Sequence, residues 1–379
     1  MFFKNIIGQN ELKQSLIQSV KDGYIPHARL INGPEGVGKI ALALAYARYL
    51  SCTNRGEDDA CGVCPSCIKY NKLSHPDLHF VFPIIKVDKK KKEVCDDYMP
   101  EWREFVLQNP YFNLPAWLAF IKAENSQGMI YAKESDEIIR KLNLKAYESE
   151  YKIMIVWLPE KMHEVCANKL LKMIEEPPEK TVFLLVSENP DRVIVTIRSR
   201  TQNLPVPPIS KEDMREAIAG LTALNGQTPE EEALLNWVHL ANGNYVKAEE
   251  LLKNGEEIRQ NLELFISIMR NCWTKNIKNM KAEAENFASL GRERQKAFLA
   301  YAQNLIRENF FFRLHLPEIN YLNKEESAFS QNFSPYVNEN NVIGLMDELA
   351  MAERHVESNV NPKMIFFDLS MKIAILIKK

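Results

Sequence analysis

Apolar residues along the chain switch between two spacings. Leu12, Leu16 and Val20 recur at the period of a helix, with Ile17 beside Leu16, so residues 1–30 read as a helical lead-in. After a break at Gly23 the pattern changes. Ala28-Arg29-Leu30-Ile31-Asn32 reads as a short buried strand, Gly33 to Lys39 as a glycine-rich loop, and Ile40 to Leu50 as an alanine- and leucine-rich helix. Strand, glycine loop and helix in that order open a phosphate-binding α/β domain. Two further continuous apolar runs, Lys152–Trp157 and Thr181–Val186, predict parallel strands covered on both faces. Between them Val165 to Ile174 has helical composition and stops at Pro177-Pro178. Such alternation predicts a mainly parallel sheet.

Pro205 to Pro208 closes the α/β part, and the rest of the chain is helical in character. Residues 211–253 form a first group broken at Gly226 and Gly243, and longer helices follow from residue 256. Ile258, Leu262, Phe265, Met269 and Trp273 make one helical stripe; Val342, Leu345, Met346, Leu349 and Val356 make another. Both read as core or helix–helix packing. Residues 86–128 fit neither period. The basic run Lys89-Lys90-Lys91-Lys92 leads into a stretch rich in Trp, Phe, Tyr and Pro, which reads as an insertion with its basic part exposed. A solvated loop is favoured there over a DNA contact.

A chain of 379 residues exceeds what one core usually supports, so two or three domains are expected. No apolar run approaches the roughly 20 residues that cross a bilayer; the richest, Met364 to Ile377, is interrupted by Asp368 and Lys372. The first residues lack a signal peptide's apolar core, and a cytoplasmic protein is expected. A net charge of −2 gives no global attraction to phosphate, so any nucleic-acid contact must be local or shared with partner subunits.

Seven cysteines, an odd count, argue against a disulfide framework. Four of them, Cys52, Cys61, Cys64 and Cys67, fall within sixteen residues, with Gly62 and Pro65 for tight turns. Four thiolates suit tetrahedral zinc in a closed structural site, with iron–sulfur the weaker alternative. His75 enters only if a cysteine is not used. Cys95, Cys166 and Cys272 are scattered and read as small apolar residues.

Gly33-Pro34-Glu35-Gly36-Val37-Gly38-Lys39 matches the start of a P-loop, in which backbone N–H groups and Lys39 cradle phosphates. The hydroxyl that should follow, to hold magnesium, is replaced by Ile40. A carboxylate is also expected at the end of a later strand, yet Lys152-Ile153-Met154-Ile155-Val156 runs into Trp157-Leu158-Pro159, and Glu160 is the nearest acid. Two magnesium contacts are missing, which points to a site that does not hydrolyse nucleotide. A glycine loop retained only for its turn competes with weak nucleotide binding.

Together these residues resemble the clamp-loader branch of the AAA+ family. Phe3-Lys4-Asn5-Ile6-Ile7-Gly8-Gln9 is similar to its N-terminal box, and Asn168 to Pro178 to its most recognisable helix. Pro26-His27-Ala28 before the P-loop, and a four-cysteine module after it, resemble the bacterial gamma/tau and delta-prime subunits. Ser187 to Asn189 lies where the family's polar sensor falls. Thr196 to Gln202 resembles the "SRC" motif, with Thr201 in place of Cys; by that resemblance Arg200 contacts a neighbouring subunit's nucleotide. The resemblance also places Trp157 and Leu158 where gamma/tau carries Asp-Glu, and Val246, within Ala241 to Val246, where an ATPase has Arg. Loss of these positions together with retention of Arg200 resembles the delta-prime branch. The resemblance covers residues 1–80 and 128–250, is weak over the helical C-terminus and is absent over 86–128.

The expectation is an α/β AAA+ P-loop domain over 1–207 with an inserted zinc module at about 52–67, an all-α lid over 208–254 and an all-α collar over 255–379. The resemblance implies a subunit that loads the sliding clamp on primed DNA with gamma/tau-type and delta-type partners, without membrane contact. Gly33, Gly36, Gly38 and Lys39 form its vestigial P-loop, where ATP or ADP binding is weak or absent. An active gamma/tau-type motor, and a zinc-stabilised DNA-binding module with a decayed P-loop, are the competing readings.

Overall fold

The computed structural model describes residues 1–86, 92–123, 126–224, 231–253, 255–316, 319–358 and 360–378. The basic residues Lys89–Lys91 and the break at Gly226 lie outside the described residues. The chain forms two compact units: Met1–Leu234 with Ala241–Glu249, and Leu235–Leu240 with Glu250–Lys379.

The first unit is built on a five-stranded parallel sheet. In chain order its elements are α1 (Asn10–Lys21), β1 (Ala28–Asn32), α2 (Lys39–Ser51), α3 (Pro65–Tyr70), β2 (Leu78–Val81), α4 (Met99–Gln108), α5 (Leu114–Phe120), α6 (Glu134–Leu142), β3 (Lys152–Trp157), α7 (Glu164–Glu175), β4 (Thr181–Ser187), α8 (Val195–Arg198), β5 (Gln202–Pro205) and α9 (Lys211–Leu224). The helices α10 (Glu231–Ala241) and α11 (Tyr245–Lys253) follow, each contributing residues to both units. Strand order is β2-β3-β4-β1-β5. β3 and β4 are buried along their whole length, as their unbroken apolar sequences require. In β1 the one charged residue, Arg29, is buried with its guanidinium over the Tyr46 ring and a hydrogen bond to Ser19 Oγ at 3.2 Å.

β1, β3 and β4 coincide with the apolar runs. The sheet also contains β2 and β5, which the apolar pattern did not reveal. Both are four-residue edge strands, and β5 buries only Leu204. β5 is mostly exposed and needs no apolar run, whereas β2 is mostly buried but only four residues long and interrupted by His79, so neither stands out as a period.

The topology places the site. Ligands in open parallel sheets bind beyond the carboxyl ends of the strands, and here the glycine loop leaves the end of β1 beside the ends of β3 and β4. The second unit is helical: α12 (Gly255–Thr274), α13 (Ile277–Ser289), α14 (Arg292–Arg313), α15 (Lys324–Phe333), α16 (Val342–Glu357) and α17 (Pro362–Leu376). Both helical stripes supply its core, which includes Leu262, Phe265, Met269, Leu345 and Leu349. At its centre Phe287 stacks on Phe366 with ring centroids 4.1 Å apart.

Candidate functional site

Gly36 (φ 73°) and Gly38 (φ 86°) adopt left-handed conformations, which glycine enters without strain. The loop therefore has the turn chemistry of a phosphate cradle. Each of its glycines also packs closely against neighbouring protein. A Cβ on Gly33 would lie 2.2 Å from the Val206 carbonyl oxygen, one on Gly36 1.7 Å from Asn244 Oδ1, and one on Gly38 2.8 Å from the Tyr111 ring. The Tyr245 N–H donates to the Gly36 carbonyl at 3.0 Å.

Lys39 opens α2, is buried, and donates its Nζ to the Pro34 carbonyl. Burial lowers its pKa, against the opposing pull of Glu188, Glu160 and Glu35. Burial likewise raises the Glu188 carboxyl to about 7, with Lys39 pulling the other way. The void left among Gly38, Lys39, Tyr111, Phe112, Trp157 and Glu188 is about 20 Å³, room for about one water.

The positions expected to handle metal and nucleotide are apolar and buried: Ile40, Trp157, Leu158 and Val246. Glu160 follows β3 in a short 3-10 turn, and its Oε1 accepts the N–H groups of Glu188 (2.8 Å) and Asn189 (3.0 Å). It ties two loops together across the sheet's end.

The four cysteine sulfurs converge. All lie within 4.8 Å of one another, with Cys52 3.6 Å from Cys61 and 4.0 Å from Cys64. Sulfurs about 2.3 Å from a tetrahedral zinc stand about 3.8 Å apart, so the set fits such an ion. Backbone N–H groups point at the sulfurs as they would at thiolates: Cys64 to Cys61 at 3.3 Å, and Cys67 to Cys64 and Cys61 to Cys52 at 3.4 Å. Gly62, at φ 80°, provides the turn between them. Burial pushes the Cys52 thiol up to about 12, whereas the N–H groups of Cys64 and Val63 pull Cys61 down. This cluster can hold a metal ion. His75 stands apart, buried, with its Nδ1 accepting the Asp77 N–H at 3.2 Å.

Arg200 follows α8 and is partly exposed. Its Nε pairs with Glu175 Oε1 at 2.7 Å, and one terminal nitrogen donates to the Thr196 carbonyl at 3.1 Å. Sequence reasoning did not anticipate Tyr111 and Phe112 as residues of this site. The aromatic density of the insertion was visible, but no periodicity assigned those rings a destination.

The parallel sheet, the glycine loop at its carboxyl end and the helices that follow define a P-loop protein of the AAA+ class. Residues 8–210 match the family described as DNA polymerase III, delta subunit, and this chain belongs to that family. DNA polymerase III subunit gamma/tau of Mycobacterium tuberculosis is 27% identical over 224 residues, which are 59% of this chain and 32% of the relative. DNA polymerase III subunit delta' of Bacillus subtilis is 27% identical over 210 residues, 55% of this chain and 51% of the relative. The subunit of the same name in Pseudomonas aeruginosa is 29% identical over 238 residues, 62% and 57%. The chain thus spans about a third of the gamma/tau relative and between half and three fifths of the other two. No helix among the described residues is long and apolar enough to cross a membrane.

Proposed function

We propose that this chain is a delta-prime-type clamp-loader subunit of the cytoplasm, which does not hydrolyse ATP and supplies Arg200 to a neighbour's ATP site. In this reading it works with gamma/tau-type and delta-type subunits to place the sliding clamp on primed DNA, which it meets through the assembly. Residues 1–207 form the nucleotide-fold domain, 208–254 the lid and 255–379 the collar that joins the other subunits. The four cysteines hold a structural zinc.

The observation that carries this reading is the replacement of every metal-handling position by buried apolar side chains, while Arg200 stays at the surface. Its present partner is no obstacle. A partly exposed ion pair such as Arg200–Glu175 contributes about 0–1 kcal/mol, so exchanging Glu175 for a phosphate oxygen costs little. A guanidinium delivered in this way stabilises charge on a transferring phosphoryl group and accelerates the reaction by roughly 10³ to 10⁵.

Two assays test the proposal. The purified chain with magnesium and ATP should show no turnover above background; sustained turnover abolished by Lys39→Ala would make it a motor. Reconstituted with a gamma/tau-type ATPase, an Arg200→Ala variant should lower that partner's turnover by at least about 10³. Unchanged turnover would remove the trans role.

A further inference from the structure

We propose that Asn109–Asn113 is a built-in occupant of the nucleotide cavity, so that the chain closes its own P-loop to nucleoside phosphates with aromatic side chains of the insertion. Loss of magnesium ligands prevents hydrolysis without preventing binding. A filled cavity prevents binding as well.

The segment joins α4 to α5 and is fastened at both ends. Asn109 Nδ2 donates to both carboxylate oxygens of Glu249 (3.1 and 2.9 Å), while its Oδ1 accepts the Tyr111 N–H at 2.9 Å. Asn113 Oδ1 caps α5 by accepting the Ala116 N–H at 3.0 Å, and its Nδ2 donates to Glu35 of the glycine loop at 3.3 Å. Between these anchors Tyr111 turns its ring against Gly38 and edge-on to Tyr245, 5.0 Å between centroids. The Tyr111 hydroxyl accepts the Ile7 N–H at 2.8 Å. Phe112 packs edge-on against Trp157 (5.0 Å) and Trp102 (5.6 Å). Tyr111 and Phe112 are 6% and 9% exposed.

Trp157 stands at the end of β3, where a magnesium-holding acid would be needed. The same side chain that removes the acid forms the seat for Phe112. Around Gly38 and Lys39, where the phosphates would sit, about 20 Å³ remains, against the roughly 300–1,000 Å³ of a small-molecule site. The wider cleft of about 640 Å³ at Gly33, Gln9 and Val206 is not lined by Lys39. The segment also takes over a ligand's mechanical role. Through Tyr111, Phe112 and Asn113 it joins the N-terminal residues, the glycine loop, β3 and Tyr245, parts that a bound nucleotide would otherwise draw together. The first unit is thereby held in one arrangement whatever the ATP level. This holds whether or not Arg200 acts on a neighbour, because nucleotide binding and partner turnover are separate readouts.

The test uses the full chain and two probes, magnesium-free ADP followed by calorimetry, and a lysine-acylating reagent followed by mass spectrometry. Wild type should bind no ADP up to about 1 mM. Its Lys39 should acylate at least about 100-fold more slowly than exposed lysines, since burial lowers its pKa and protection must therefore be steric. In Tyr111→Ala/Phe112→Ala, Lys39 should acylate at a rate approaching theirs. Micromolar ADP binding by wild type, or rapid acylation of its Lys39, would overturn the proposal. So would continued protection of Lys39 in the double variant when circular dichroism shows it folded. If that variant fails to fold, the two wild-type measurements decide.

Discussion

Lys39 and Glu188 border the same small void, and burial drives each toward its neutral form. Glu35, Glu160 and Lys161 also act on Glu188. A carboxyl raised from 4.5 to about 7 contributes stability that is fully present below its unfolded value and lost as pH rises through about 7. Wild type should therefore lose stability relative to Glu188→Gln between about pH 5 and 8, by about 1–3 kcal/mol. Denaturant midpoints of both proteins at the two ends of that range check this, and a wild type that gains stability with pH would contradict it. Lys39 has the opposite sign: its lowered pKa removes stability as pH falls through the folded-state value. At this scale absences were readable in the sequence, because Ile40, Trp157 and Val246 lack the needed atoms in any fold. The ion pair of Arg200 with Glu175 was not, since it depends on where the end of α7 meets the turn after α8.

The cysteine module shows how far an element can be read from spacing. Turns between Cys61, Cys64 and Cys67 are short enough that local geometry brings three sulfurs together, and Cys52 at the end of α2 completes the set. The purified chain should contain one zinc ion, and a chelator should lower its unfolding temperature. Thiols must deprotonate to bind metal, so the chelator concentration needed should fall as pH falls. Thermal scans with and without chelator at two pH values measure it; indifference to the chelator would mean the cluster carries no stabilising ion. The strands divide along similar lines. β3 and β4 leave continuous apolar runs and β1 one broken by Arg29, whereas at the edges β2 is short and interrupted by His79 and β5 is mostly exposed. The helices α4 and α5 were hidden inside the aromatic insertion. Their rings Trp102 and Trp117 are wholly buried, with Phe82 stacked on Trp102 at 4.1 Å.

Each unit of the molecule has its own core, so damage to one core should register in that unit. Phe366 is fully buried against Phe287 and Phe298. Phe366→Ala should cost the helical unit about 3–5 kcal/mol. Urea unfolding followed by hydrogen exchange of α13 and α17 should show it, while protection of β1, β3 and β4 stays at its wild-type level. Equal loss in both units would mean that they unfold together. What the residues settled in advance was chemistry and local period: a glycine loop without its metal ligands, four convergent thiols, a parallel sheet and a helical remainder. These follow from side-chain composition and from spacings of a few residues. The closing of the P-loop belongs to the folded chain. It needs Ile7, Gly38, Tyr111, Trp157 and Tyr245 in one place. Such packing depends on shape complementarity between segments distant in sequence, and no local pattern encodes it.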